Sequence, residues 1–154
     1  MRVGVVSDSH GYTGRLSTLL MAMEADGPVN ALIHLGDGYY DLEDLGVSLP
    51  PVYQVAGNCD LGRSETRALI ALSNARLLLT HGHYQHVKQE RDTLFALAEE
   101  TKVHAALYGH THQQKMEWRN GLLLLNPGAA MNGCCALLTI SPGGAIEAQL
   151  YGEE

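Results

Sequence analysis

Short apolar runs alternate with one helical pattern through the first third of the chain. The first run is rich in valine and reads as a buried strand. Leucine and methionine then recur at helical spacing until Gly27-Pro28, a pair that stops helices. Strands that alternate with helices favour a parallel sheet. The predicted elements are strands at 2–7, 31–35 and 52–56, a helix at 13–25 and an acidic helical turn at 39–45.

The rest of the chain is dominated by apolar runs that flank turn-forming residues. Ser73-Asn74, Asn120-Gly121 and Pro142-Gly143-Gly144 each lie between two such runs, which predicts three β-hairpins. A parallel unit followed by antiparallel strands predicts two packed sheets covered by helices. The predicted strands are 66–72, 75–80, 103–108, 115–118, 122–125, 134–140 and 145–151, with an amphipathic helical segment at 86–100.

Length and composition set the broad class of the protein. A chain of 154 residues with 45% hydrophobic content predicts one domain, spanning 1–154, with its own core. The net charge of −7 argues against binding to nucleic acid polymers or anionic membranes. The N-terminus lacks a signal-peptide layout, so the expected location is the cytoplasm. Reduced, structural thiols are therefore expected at Cys59, Cys134 and Cys135.

Residues with metal-binding side chains come directly after the apolar runs that are predicted to be strands. Because neighbouring strands end at one edge of a sheet, side chains that are distant in sequence can meet there. Taken singly, some motifs have simpler explanations, since Asp37 could cap a helix and Asn58 could form a turn. The histidines outside the motifs, His34, His86 and His104, are predicted to be structural. The motifs are Asp8-Ser9-His10, Gly36-Asp37, Gly57-Asn58, His81-Gly82-His83 and Gly109-His110-Thr111-His112.

The combined motifs offer too many ligands for a single zinc ion. Two aspartates, four histidines and one asparagine instead suit a pair of divalent metal ions. Manganese is the first expectation, and iron, nickel, cobalt and zinc suit the same nitrogen and oxygen ligands. The sequence therefore predicts a dinuclear metal centre at the edge of a sheet.

In this order, the motifs resemble those of the calcineurin-like metallophosphoesterase superfamily. The family pattern is Asp-x-His, Gly-Asp, Gly-Asn-His-Asp/Glu, His and Gly-His-x-His, and the match runs from residue 8 to residue 112. The tracts Gly57-Asn58-Cys59-Asp60 and Asn126-Pro127-Gly128 are similar to those of its small bacterial and archaeal phosphodiesterases. The resemblance implies an α/β fold, a four-layer α/β/β/α sandwich of two mixed sheets flanked by helices.

The resemblance also implies a function, which is hydrolysis of a small phosphodiester by in-line attack of a hydroxide that bridges two metal ions. It further implies a homo-oligomer, either a dimer or a tetramer. Asp37, Asn58, Cys59 and His83 form the expected catalytic set. Asp8, His10 and His112 would hold the first ion, Asn58, His81 and His110 would hold the second, and Asp37 would bridge both.

Cys59 is the main departure from the family pattern, because many members have histidine at this position. In those members the histidine contacts the phosphate and can protonate the leaving oxygen. A thiol is a weak hydrogen-bond donor, so we expect weak activity on esters with poor leaving groups. The carboxylate of Asp60, which would orient that histidine, is expected to lack its partner here. His83 is the alternative contact to the phosphate.

The sequence leaves three alternatives to a phosphodiesterase. Proteins similar to this family, such as the retromer subunit, act as protein-interaction scaffolds, but they have lost one or more ligand histidines. The four ligand histidines are all present here, which favours an enzyme. A phosphomonoesterase and a nuclease are the remaining alternatives. The acidic balance and the lack of lysine and arginine clusters argue against a nuclease.

Overall fold

Residues 1–152 are described by the computed structural model, and ten strands in this part of the chain form two five-stranded sheets. The first sheet contains β1 (Arg2–Val6), β2 (Ala31–His34), β3 (Val52–Gln54), β9 (Cys135–Ile140) and β10 (Ile146–Tyr151), in the order β10-β9-β1-β2-β3. The second contains β4 (Arg67–Leu72), β5 (Ala75–Thr80), β6 (Ala105–Leu107), β7 (Gln114–Arg119) and β8 (Leu122–Pro127), in the order β4-β5-β6-β8-β7.

Both sheets are mixed. In the first, β1, β2 and β3 are parallel, whereas β9 and β10 are antiparallel to their neighbours. In the second, β5, β6 and β8 are parallel, and β4 and β7 form antiparallel hairpins with their partners. The parallel strands of each sheet end at the edge where the predicted ligands follow them.

Three helices cover the outer faces of the sheets, which gives four layers. α1 (Thr13–Glu24) and α2 (Asp41–Asp44) pack on the first sheet, and α3 (Asp92–Glu100) packs on the second. Successive side chains of β5 point to opposite faces of its sheet. Leu77 and Leu79 therefore point into the core between the sheets, while Leu78 packs under α3. The predicted fold class, two mixed sheets flanked by helices, is confirmed.

The predicted amphipathic helix at 86–100 is wrong in its first turns, because α3 begins at Asp92. Residues 83–89 form turns, and His86 has a φ of 56°, which a continuous right-handed helix cannot contain. The Glu90 carboxylate accepts hydrogen bonds from the backbone nitrogen and hydroxyl of Thr93, at 3.0 and 2.7 Å. Val87, which supplied the helical pattern there, is buried from within a turn.

Several smaller differences separate the predicted elements from the observed ones. The strands β1, β2, β3 and β6 end one or two residues early, because buried segments such as Val55-Ala56 continue as loops rather than as paired strands. In contrast, β7 and β8 extend beyond the predicted ranges of 115–118 and 122–125. A short 3-10 helix at Ala130–Asn132 was not predicted. No helix among residues 1–152 is long and apolar enough to cross a membrane.

Candidate metal centre

The predicted ligand loops converge at one edge of the sandwich. Within the first sheet, the backbone nitrogen of Asp8 donates to the Gly36 carbonyl at 2.9 Å, and that of His10 donates to the Asp37 carbonyl at 2.9 Å. Within the second sheet, the Gly109 nitrogen donates to the His81 carbonyl at 3.0 Å. Each loop is therefore held by the loop of the adjacent strand.

Five of the predicted ligands adopt left-handed backbone conformations. Aspartate and histidine tolerate this region better than most residues, but it still costs free energy, and such residues cluster at functional sites. The strained backbone turns each side chain back from the strand end towards the others. The φ angles are 54° at Asp8, 45° at His10, 60° at Asp37, 71° at His110 and 62° at His112.

Glycine lets two of these loops approach closely. A Cβ atom on Gly36 would lie 2.5 Å from the Gly57 backbone nitrogen and 2.9 Å from His81 Nδ1. Gly36 also has a φ of 103°, a conformation that side chains rarely adopt. The glycine of the Gly36-Asp37 motif is thus required by packing across both sheets.

The first ligand group contains Asp8, His10 and His112, whose ligand atoms lie within 4.8 Å of one another. Asp8 is fully buried, and its Oδ2 accepts bonds from the Ser7 hydroxyl at 2.6 Å and the His110 nitrogen at 3.1 Å. The other oxygen, Oδ1, has no hydrogen-bond donor and lies 3.1 Å from His112 Nε2 and 3.7 Å from His10 Nε2.

The second group contains Asp37, His81 and His110, again within 4.8 Å of one another. His81 Nδ1 donates to the Leu35 carbonyl at 2.8 Å, so its Nε2 faces Asp37 Oδ2 at 3.2 Å. His110 Nδ1 lies 3.2 Å from the same Nε2. Asp37 Oδ2 is also 3.8 Å from His10 Nε2, which puts this carboxylate between the two groups.

The surroundings of Asp37 favour its ionised form. Burial acts to raise the pKa of Asp37, but its hydrogen bond with His81 and the nearby histidines bring it well below the usual range. Burial acts to lower the pKa of His81, yet the bond to Asp37 and the charges of Asp8 and Asp37 raise it overall. Burial and the charge of His81 lower the pKa of His110 to about 4, so this ring is neutral at pH 7.

Asp60 has a structural role that differs from the one expected. Its Oδ2 accepts from the backbone nitrogens of Asp37 and Gly57, both at 2.7 Å, and its Oδ1 accepts from those of Gly38 and Tyr39, both at 3.0 Å. Asp60 lacks the histidine partner of the family pattern, as expected, and backbone N–H groups take the place of that side chain. Asp37 is also not a helix cap, since α2 begins at Asp41.

The remaining members of the predicted catalytic set lie around the cluster. Asn58 is exposed, and its Nδ2 donates to Cys59 Sγ at 3.6 Å. The thiol of Cys59 lies within 4.8 Å of ligand atoms of His10 and Asp37. The buried Nδ1 of His83 has no hydrogen-bond partner.

Two buried polar networks hold the ligand loops, and sequence reasoning missed both. The Ser9 hydroxyl donates to Asp41 Oδ2 at 2.6 Å and lies 2.8 Å from His34 Nε2. Burial lowers the pKa of His34 to about 4 against the opposing charges of Asp41, Asp8 and Asp60. His34 is thus a neutral structural histidine, and its position as a polar residue inside a predicted strand was the signal for this network.

Asn126 forms the second network. Its Nδ2 donates to the Gly109 carbonyl at 3.1 Å and to the Thr111 hydroxyl at 2.9 Å, while its Oδ1 accepts from the Gly128 nitrogen at 2.9 Å. Asn126 is fully buried. The Asn-Pro-Gly tract therefore fixes the loop that carries His110 and His112.

Two mixed sheets with carboxylates and imidazoles gathered at their common edge define a metal-dependent phosphoesterase fold. The sequence profile of the calcineurin-like phosphoesterase superfamily domain matches residues 1–141, and the chain belongs to this superfamily. The chain is 35% identical over 130 residues to a probable metallophosphoesterase, YsnB, of Bacillus subtilis, covering 84% of this chain and 75% of that protein.

A second relative and two solved structures extend the comparison. The phosphodiesterase MJ0936 of Methanocaldococcus jannaschii is 26% identical over 165 residues, covering 92% of this chain and 89% of that protein. An archaeal phosphodiesterase structure superposes with a TM-score of 0.78 at 17% identity, covering 98% of this chain and 100% of the other. Zinc-complexed Vps29 from Entamoeba histolytica gives 0.77 at 20% identity, covering 98% of both chains. The predicted resemblance to the small bacterial and archaeal enzymes is confirmed.

Proposed function

We propose that this chain is a phosphodiesterase that uses two divalent metal ions to hydrolyse a small phosphodiester by in-line displacement at phosphorus. The observation that carries the proposal is the unpartnered Oδ1 of buried Asp8, which faces imidazole nitrogens of His10 and His112. An ionised carboxylate oxygen without a donor is costly in a protein interior, and a cation among these ligands offsets that cost.

The ligand assignment follows the two groups of side chains and the family pattern. The fixed tautomer of His81 supports it, because a histidine whose Nδ1 donates to a carbonyl presents Nε2 as a ligand. The assignment of Asn58 rests on the resemblance alone. Asp8, His10 and His112 would hold one ion, Asn58, His81 and His110 the other, and Asp37 both.

Divalent ions at these positions would supply Lewis acidity towards the phosphoryl oxygens and lower the pKa of the attacking water. Cys59 and His83 would face the leaving group and the phosphate. A thiol is a weak hydrogen-bond donor, so Cys59 would be a poor group for protonating a leaving oxygen. The expected substrates are therefore diesters with activated leaving groups rather than alkyl monoesters.

The test combines metal content with turnover. Chelator-stripped protein is reloaded with Mn²⁺, and bound metal is measured by mass spectrometry alongside hydrolysis of bis(p-nitrophenyl) phosphate. We expect two ions per chain and chelator-sensitive turnover in the unaltered protein. His112→Ala should lose about one ion and most activity, whereas His104→Ala, which changes a histidine outside the centre, should retain both. Equal metal content in the two variants would contradict the assignment.

A protein-interaction scaffold is the second candidate, and the likeness to Vps29 favours it. That likeness extends over 98% of both chains at a TM-score of 0.77. In a scaffold the same fold presents a surface to a partner and needs no turnover. Absence of metal-dependent hydrolysis for aryl diesters, alkyl diesters and monoesters, together with tight capture of a protein partner, would favour the scaffold.

A further inference from the structure

We propose that Tyr84 and His83 form a subsite that stacks against a planar aromatic group of the substrate, of the nucleobase kind. This inference rests on the proposed function, because it concerns the group esterified to the phosphate. It names a specificity determinant that lies outside the predicted ligands. The substrate class that follows is a small phosphodiester with one nucleoside.

A continuous series of rings leads from the metal centre to the surface. The centroids of the His110 and His81 rings are 5.0 Å apart, those of His81 and His83 are 5.5 Å apart, and those of His83 and Tyr84 are 4.3 Å apart. The ring planes of His83 and Tyr84 are inclined by 37°, the smallest angle of the three pairs and the nearest to a stacked arrangement. Tyr84 is therefore the outermost ring of a series that begins at the predicted ligands.

Tyr84 is both exposed and positioned. Its exposed fraction is 69%, although its ring contacts His83. Covering a large apolar ring with a second flat group removes apolar surface from water, which is favourable. Because the contact with His83 already restricts the ring, a substrate pays less conformational entropy when it stacks there. The remaining exposed surface of Tyr84 is available to a ligand.

Tyr39, two residues after Asp37, does not offer a free ring in the same way as Tyr84. Tyr39 is covered by the guanidinium of Arg63, whose central carbon lies 4.2 Å from the ring centroid. Arg63 also donates to the Tyr39 hydroxyl at 2.8 Å. Tyr84 instead contacts His83, whose buried Nδ1 has no hydrogen-bond partner. Tyr84 therefore presents an exposed ring next to His83.

Two diesters with the same leaving group test the inference. Thymidine 5′-(p-nitrophenyl phosphate) and methyl p-nitrophenyl phosphate share p-nitrophenolate, so the ratio of their kcat/KM values reports the retained group. Stacking on one aromatic side chain changes affinity by about fivefold to about a hundredfold. Tyr84→Leu should therefore lower the thymidine-to-methyl ratio by about tenfold, mainly through KM. An unchanged ratio would overturn the inference.

Matched variants separate stacking from structural damage. Tyr84→Phe keeps the ring and should keep the ratio. Trp118→Leu removes another aromatic side chain, which lies on β7 and is 51% exposed. This variant should leave kcat/KM unchanged for both diesters. A lower thymidine-to-methyl ratio of kcat/KM in Trp118→Leu or in Tyr84→Phe would count against a stacking role for Tyr84.

Equilibrium binding provides a readout that does not depend on turnover. Calorimetry with thymidine 5′-monophosphate and with methyl phosphate should show about tenfold weaker binding of the nucleotide alone in Tyr84→Leu. If neither diester is hydrolysed by the unaltered protein, the proposed function fails while binding still decides the inference. Equal nucleotide affinity in the unaltered protein and in Tyr84→Leu would then refute the subsite.

Discussion

Asp60→Asn tests whether one carboxylate holds the backbone of the metal centre. Asp60 accepts four backbone hydrogen bonds, two on each oxygen, from Asp37, Gly38, Tyr39 and Gly57. An asparagine keeps the shape of the side chain but replaces one acceptor oxygen by an NH₂ group. Two of the four backbone N–H groups would then face the NH₂ group, which is itself a donor. The other two would still be accepted by an oxygen, but by an uncharged one.

The magnitude follows from those bonds. A hydrogen bond to a charged group contributes about 1.5–3 kcal/mol, so two lost bonds correspond to about 3–6 kcal/mol. Asp60 is only partly buried, and water can replace some of what is lost. We therefore expect Asp60→Asn to lower the free energy of unfolding by about 2–4 kcal/mol. The same change should weaken metal binding, because Asp60 holds the backbone nitrogen of Asp37.

Urea unfolding of metal-free protein, followed by circular dichroism at pH 7, measures the effect. Asp92→Asn is the matched control, since Asp92 is exposed and makes a surface ion pair with Arg119 at 2.7 Å. Such pairs contribute about 0–1 kcal/mol, so the control should stay close to the unaltered protein. Similar unfolding midpoints for the two variants, at similar slopes, would refute the proposed role of Asp60.

Three further predictions concern the leaving group, the packing and the pH dependence. Cys59→His should raise activity on alkyl esters by about tenfold or more, and on p-nitrophenyl diesters by less; equal gains would argue against the leaving-group explanation. Gly36→Ala should lower Tm by several degrees, because Gly36 has a φ of 103°. Gly14→Ala in α1 should not, because a Cβ there meets nothing within 4 Å. Equal melting points for the two variants would contradict the packing argument. His34 has a folded pKa of about 4, so the unfolded chain takes up a proton first as the pH falls below about 6.5. Between pH 7 and pH 5 the unaltered, metal-free protein should thus lose about 2 kcal/mol more stability than His34→Gln, and parallel pH profiles would exclude this role.

The convergence of the ligands could be predicted from sequence, because it depends on where strands end. Asp8 and Asp37 follow parallel neighbours, and His81 and His110 follow another parallel pair. Once the strands are identified, topology brings these residues to one edge. The two sheets and their three hairpins were predictable for a similar reason, since turn residues separate clear apolar runs.

The supports of the centre could not be predicted in the same way. Asp60 is held by four N–H groups whose directions depend on a loop with positive φ angles, and side-chain types do not encode those directions. The burial of Val87 within a turn produced a helical pattern without a helix. Asn58 belongs to the family pattern, yet its side chain contacts Cys59. For Asp60 and Val87, contacts with other segments of the chain outweigh the local signal.

Each predicted ion position takes ligands from both halves of the sandwich. Asp8 and His10 follow β1 of the first sheet, whereas His112 follows β6 of the second, and the other position joins Asp37 to His81 and His110 in the same way. Occupied, the centre would act as an inorganic cross-link between the sheets at an edge where the chain places strained loops. Metal binding would then add to the stability of the folded chain at that edge.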